Sequence, residues 1–226
     1  MAGLPRGSLT RELLVRESLR LLDTHGVPGF SLPKLGRAIG ADPTAIYRHF
    51  ASKDELVLAI ADALIEEAAD GLEPSDCWLR TVAEIARRTR RTYLAHPAAA
   101  SLAAYRVTQG PGEMRVVDMI LGALHAAGFT GKEAATVYRA IGDFCLFWGG
   151  GEAAFLALDE RAQQADTDAW TRAYLVADRA VYPSIWRVRE ELPIVDDDDI
   201  FETILSFVLA GLIQRAPNPC ECPEHR

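Results

Sequence analysis

The sequence predicts an all-α fold, on three observations. Apolar residues recur three and four apart from Leu14 to Leu212, the spacing of one helix face. The breaks between these runs carry helix signals, with Ser or Asp ahead of a run and Gly or Pro behind it. No alternating apolar and polar run is bounded by the turn residues that a strand needs.

The N-terminal elements follow in order. Leu14, Ser18, Leu21 and Leu22 predict a first helix that ends near Gly26. Ser31 caps a second, short helix with Pro33 in its first turn, and Leu32, Leu35 and Ile39 share its inner face. Gly36 leaves room for the next helix, and Gly40 ends this one in the left-handed conformation that glycine adopts freely. Asp42 caps a third helix, Pro43–Phe50, whose first position is Pro43. Ile46 and Phe50, four apart, face inward and leave Thr44, Tyr47 and Arg48 outward. Ser52 and Glu55 form a capping box that opens a long helix with Leu56, Ala59, Ile60, Ala63 and Leu64 as its apolar stripe.

The pattern stays helical beyond residue 70. Trp78, Val82, Ile85, Ala86, Thr89 and Tyr93 mark a face that ends near His96-Pro97, and a shorter helix runs from Pro97 to Arg106. After the loop Gly110-Pro111-Gly112, Val117, Ile120, Leu121 and Leu124 mark a helix ending near Gly128. Val137, Tyr138, Ile141, Phe144, Cys145 and Trp148 mark another, which Gly149-Gly150-Gly151 is expected to interrupt or loosen. Residues 159–168 read as a polar loop. A helix from about Trp170 to Val181, a loop punctuated by Pro183 and Pro193, and a final helix with Phe201, Ile204, Leu205, Val208, Leu209 and Leu212 complete the chain.

Thr44, Tyr47, Arg48 and His49 fall within one and a half turns, with Lys53 just beyond. This compact aromatic and basic surface has the size that enters a DNA major groove. The stretch LLDTHG followed by FSLPKLGRAIGADPTAIYRHFASKDEL resembles the N-terminal DNA-binding domain of the tetracycline-repressor (TetR) family over about the first 65 residues. Its YRHF and SKDEL segments are the specific part. The resemblance implies a three-helix helix-turn-helix head, a larger C-terminal helical domain for ligand binding and dimerisation, and a homodimeric transcription regulator. The expected division is a head over 1–55 continued by a connecting helix over 52–70, a body over 71–216 and a tail over 217–226.

The resemblance also implies residue roles. Tyr47 and His49 match positions that grip phosphates, and Lys53 matches a backbone-anchoring lysine. Thr44, Ala45 and Arg48 match positions that read or flank base edges, and Lys34 and Pro43 complete the DNA-facing set. Arg48 suits a bidentate contact to guanine, and Ala45 an apolar contact to a thymine methyl. Two positions depart from the family pattern. Pro33 stands where many members carry an arginine or threonine that reaches DNA, and Gly36 stands where alanine is usual.

Charge supports a basic head. The chain carries −8, yet residues 1–50 hold seven Lys or Arg and four acids, a net of +3 that leaves −11 for the remainder. Such asymmetry fits a protein whose one end touches phosphates. Arg6 and Arg11 are candidates for further DNA contacts from an N-terminal arm. At 226 residues and 49% hydrophobic content the chain can bury a substantial core. No apolar run reaches membrane-spanning length, the start lacks the apolar core of a secretion signal, and four cysteines do not outline a disulfide framework. A reducing cytoplasm is the expected location.

The resemblance places the dimer on helices near 133–148 and 199–214, with Phe201, Ile204, Leu205, Val208 and Leu212 as interface candidates. Aromatic and polar residues on the middle helices, Arg88, Tyr93, Tyr105, His125, Phe144, Phe147, Trp148 and Trp170, are candidates for a pocket that takes a largely apolar effector. Arg139 and Asp143, four apart, are expected to pair across a helix turn.

No cofactor or metal is expected. The chain has no GxSxG, HExxH or phosphate-loop motif. The run Asp196–Asp199 reads as a solvated helix start, and the Cys220, Cys222, His225 spacing matches no common zinc pattern. Two other readings remain. One is a helical protein-interaction module without specific DNA binding. The other is a small-molecule-binding protein or enzyme, for which no nucleophile and base pair is evident.

Overall fold

The computed structural model describes residues 9–218, and among them there is no strand. The helices run in the order α1 (Arg11–Gly29), α2 (Leu32–Ile39), α3 (Pro43–Ile46), α4 (Lys53–Ala69), α5 (Trp78–Ala95), α6 (Pro97–Ala103), α7 (Pro111–Ala126), α8 (Gly131–Leu156), α9 (Glu160–Leu175), α10 (Pro183–Arg187) and α11 (Asp197–Arg215). A short 3-10 helix, Leu192–Ile194, lies between the last two. The chain divides into two compact units, one running to Ala157 and resuming at Leu212, the other Leu158–Gly211.

The first unit holds one continuous core. Leu14, Leu22, Leu35, Ile46, Phe50, Leu56 and Leu64 from α1 to α4 share it with Tyr93 of α5, the alanines of α6 and Ala153 of α8. No break in packing separates the first three helices from α4, α5, α6 and α8. Gly26 interrupts α1 with φ 62°, where the sequence placed a helix end, and a further helical turn follows.

The head is built from its caps. The Ser31 hydroxyl accepts from the Lys34 amide at 3.3 Å, and the Ser52 hydroxyl accepts from the Glu55 amide at 3.1 Å. Asp42 Oδ1 accepts from the Thr44 amide at 2.7 Å. Glu55 reaches back to the Ala51 amide at 2.6 Å, so the capping box closes one residue earlier than its usual partner. Between α2 and α3 the chain turns at Gly40, φ 65°. A Cβ at Gly36 would lie 2.8 Å from the Ala41 carbonyl oxygen, so the turn needs the missing side chain.

Three elements differ from expectation. The third helix is α-helical only over Pro43–Ile46; the amides of Arg48 and His49 then bond three residues back, to Ala45 and Ile46, which tightens the last turn. Helix α8 runs unbroken through Gly149–Gly151. Its glycines serve close packing: a Cβ at Gly150 would lie 2.6 Å from Ala104 Cβ, and one at Gly149 would lie 3.2 Å from the Tyr93 ring. Residues expected as a polar loop over 159–168 belong to α9, which Asp159 caps by accepting from the Ala162 amide at 2.9 Å. Polarity there reflects exposure, because α9 buries no residue. In the second unit α9 packs with α10 and the 3-10 helix, and Trp170 sits edge-on to Tyr174 with ring centroids 4.6 Å apart.

No single helix among the described residues is long and apolar enough to cross a membrane. Cys145 is a free, buried thiol, and Cys220 and Cys222 lie outside the described residues.

The two neighbouring glycines of α8 give a paired prediction. Gly150→Ala should lower stability by about 1–3 kcal/mol through overpacking. Gly151→Ala, whose Cβ meets nothing within 4 Å, should raise it by about 0.5–1 kcal/mol through helix propensity. Thermal or urea unfolding of the two variants checks the signs.

Candidate functional site

The basic and aromatic surface is assembled by α3 and the start of α4. Thr44, Tyr47, Arg48, Lys53 and Lys34 are exposed, while Pro43, Ala45 and His49 are half-buried. Tyr47 keeps 54% of its surface in solvent, a large exposure for an aromatic ring. Thr44 Oγ1 donates to Asp42 Oδ1 at 2.7 Å, and the Thr44 hydroxyl and amide together hold the Asp42 carboxyl below its ordinary pKa. Lys53 Nζ lies 5.2 Å from the centre of the Phe30 ring, and Lys34 Nζ donates to the Pro28 carbonyl at 3.2 Å.

Arg11 has a structural task. Its guanidinium donates to the His49 carbonyl oxygen and, at 2.8 Å, to Glu55 Oε1, and it lies 4.1 Å from the centre of the Phe50 ring. It therefore ties α1 to the end of α3 and the start of α4. Glu55 is held below its ordinary pKa by Arg11 first and by the Ala51 amide second. Arg6, the other arm candidate, lies outside the described residues, as does the Cys220, Cys222, His225 tail.

A cavity of about 110 Å³ opens between α4, α5, α7, α8 and the loop after α6. Its walls are mostly apolar, from Ile65 and Ile85 through Val116, Val117 and Ile120 to Leu146. Of the eight residues expected in a pocket, Tyr105 and Phe147 line it, their rings stacked with centroids 4.5 Å apart. The other six do not. Arg88 donates to Glu84 Oε1 and the Asp70 carbonyl, each at 2.8 Å. Tyr93 is core, His125 is exposed, Phe144 and Trp148 are half-buried away from the lining, and Trp170 belongs to the second unit. Helical spacing shows that residues share a face but not which faces converge, and that is why the sequence groups the six with the two.

Cys145 also lines the cavity, and burial pushes its thiol up to about 12. Arg139 and Asp143 pair at 2.9 Å as their spacing predicts.

The residues that sequence reasoning missed hold the cavity loop to α4. Arg106 Nη1 and Nη2 each donate at 2.9 Å to the two carboxylate oxygens of Asp54, the neighbour of Lys53. Eight residues on, the buried Asp62 accepts from Thr108 Oγ1 at 2.7 Å and from the Glu113 and Gly112 amides at 2.9 and 3.1 Å. Asp62 thereby caps α7 from another helix, since the local cap position is Gly110, where a Cβ would lie 2.2 Å from Asp62 Cγ. Glu113 completes the loop by accepting from the Thr108 and Gln109 amides at 2.5 and 2.9 Å. Tyr105 and Gln109 adopt φ of 71° and 56°, conformations that non-glycine residues hold only when their surroundings fix them. One sequence signal for this existed: Asp62 is an acid set among the apolar positions of α4.

The burial of α11 divides the five expected interface residues. Phe201, Leu205 and Leu212 are 2%, 1% and 6% exposed within the chain, so they have no surface for a partner. They form one stripe with Leu209, and the spacing that made the helix look two-sided merged that stripe with another. Ile204 and Val208 are half-buried and lie beside Phe207, which is 69% exposed.

A helix-turn-helix head with an exposed tyrosine, arginine and lysine defines a DNA-binding regulator. The family model for bacterial regulatory proteins of the tetR family matches residues 14–60, and that for the tetracyclin repressor-like C-terminal domain matches residues 70–216. The chain belongs to the TetR family of transcriptional regulators. It is 29% identical over 177 residues to an HTH-type transcriptional regulator of Saccharopolyspora erythraea, covering 78% of this chain and 73% of that protein. It is 28% identical over 204 residues to the class A tetracycline repressor protein from transposon 1721 of Escherichia coli, covering 89% of each. Its fold matches that of ActR from Streptomyces coelicolor, in complex with actinorhodin, with a TM-score of 0.80 at 24% identity, over 93% of this chain and 98% of that one. It regulates transcription and is not an enzyme.

Two outcomes are expected at the site. Asp62→Ala leaves the Gly112 and Glu113 amides without their acceptor, while the Thr108 hydroxyl keeps Glu113, and should cost about 2–3 kcal/mol in unfolding free energy, read by urea titration. Cys145, protonated far above neutrality, should resist alkylation at pH 8 in the native protein and react after unfolding, as read by mass spectrometry.

Proposed function

We propose that the chain is a repressor that binds a palindromic operator as a homodimer and leaves it when a small, largely apolar molecule fills the cavity beside Tyr105. The observation that carries the reading is that Arg106 lines the cavity and also grips Asp54, one residue from Lys53. Cavity and DNA-facing surface thus share the first turn of α4. The name of the tetracycline repressor, a relative over nearly its full length, supports repression and small-molecule control.

In this reading Tyr47, His49, Lys34 and Lys53 hold phosphates, and Thr44, Ala45 and Arg48 face base edges from a helix begun by Pro43. Two heads related by symmetry read two half-sites. The dimer uses α8 and the outer stripe of α11, Ile204, Phe207 and Val208. The protein acts in the cytoplasm, needs no cofactor, and follows effector concentration by population shift between two dimer states. A molecule that fills the cavity displaces Tyr105, loosens Arg106 from Asp54 and frees the start of α4. Its leverage equals its preference for the released state, so a molecule that binds both states equally changes nothing.

Selection from a random duplex library should enrich one palindrome. Failure to enrich any sequence with folded, ligand-free protein would leave the interaction-module reading instead. On that operator, Arg48→Ala should cost about 1–3 kcal/mol and relax preference at one base pair per half-site. Lys53→Ala should weaken all sequences alike and reduce the salt slope by about one for each phosphate it no longer neutralises.

The Arg106–Asp54 pair also has a pH signature. Arg106 holds the Asp54 carboxyl below its ordinary value. The pair is therefore complete above the unfolded pKa, about 3.9, and is lost as pH falls through the lowered folded value. Asp54→Asn, which removes the pair that effector is proposed to loosen, should lower operator affinity in the absence of effector while leaving effector affinity measurable by calorimetry.

A further inference from the structure

The chemistry of the cavity narrows what it accepts. Every charge at its edge is already answered. Arg139 pairs with Asp143, Arg106 with Asp54, and Glu113 with two loop amides and the Thr108 hydroxyl. An ion brought inside would meet no unpaired opposite charge, and burying it would be strongly unfavourable. Three hydroxyls also line the cavity, those of Tyr105, Tyr138 and Thr89, and Thr89 of α5 is the most deeply buried of them, 7% exposed. Thr24, Thr136 and Thr167 each bond the carbonyl four residues back, a bond that Thr89 does not make.

Shape adds a second limit. At about 110 Å³ the cavity suits a small molecule of one or two rings. Tyr105 and Phe147 stack on one side. Gly142 of α8 lines the cavity with bare backbone, and a Cβ there meets only Tyr138 Cε2, at 4.0 Å. Aromatic faces and a side-chain-free strip of helix favour a flat molecule over a branched one.

We propose that the cavity takes an uncharged aromatic molecule of one or two rings whose single hydroxyl or carbonyl bonds Thr89, and that Gly142 sets the size limit. The inference rests on the cavity being the effector site. Four probes test it by calorimetry on the full chain: 1-naphthol, naphthalene, 1-naphthoate and decan-1-ol. The expected result is that 1-naphthol binds most tightly, that Thr89→Val weakens it about tenfold without weakening naphthalene, and that Gly142→Leu abolishes both. Gly142→Ala, the milder change, should weaken binding with thermal stability kept.

Tighter binding of 1-naphthoate or decan-1-ol would overturn the proposal. So would equal loss of 1-naphthol and naphthalene in Thr89→Val, unchanged binding in both Gly142 variants, or no binding of any probe. Operator affinity is measured separately. Binding in the expected pattern with operator affinity unchanged would keep the ligand class and overturn release from this cavity. Release by another molecule, with none of the four bound, would do the reverse.

Discussion

The loop beside the cavity depends on one helix carrying two carboxylates that answer to it. Asp54 in the first turn of α4 receives both guanidinium nitrogens of Arg106, and Asp62 two turns later receives the amides that open α7. Between them the loop keeps two non-glycine residues in left-handed backbone, which only such bracing maintains. Glycines make the bracing possible by absence of side chains: Gly110 yields to Asp62, and Gly150 yields to Ala104 just before Tyr105. α4 is therefore both the last element of the head and one wall of the cavity.

The same arrangement explains why the head has no core of its own. Its apolar side chains continue into α6 and Ala153 of α8 as a single cluster. A head packed this way feels movement in the body through side-chain contact as well as through the α4 backbone. Arg11 adds a second tie by joining α1 to the His49 carbonyl and Glu55, so the turn after α3 is held from both sides. An arginine that looked available for phosphate is thus committed to the protein, while Arg48 keeps its exposed position just after α3.

How much could be read in advance depends on how local each signal is. Ser31, Asp42 and Ser52 act within three residues, and all three caps formed where their spacing placed them. Gly36 and Gly40 specify a turn within five residues, which made the helix-turn-helix legible. Gly149–Gly151 misled because local propensity disfavours glycine in a helix, whereas α8 needs it to approach Ala104 and Tyr93, which are far away in sequence. The polar run at 159–168 misled because an exposed helix and a loop share composition. The cavity was least legible. Arg106 and Asp54 are 52 residues apart, and no periodicity links them.

Hydrogen exchange would test the central claim most directly. The amides of Tyr105–Gly110 and of the first turn of α4 would be followed while a small molecule that releases the operator is titrated in. Both segments are expected to exchange faster together, in step with release. Release of the operator with both segments unchanged would contradict it, because the cavity loop and the head would then not communicate through Asp54 and Asp62.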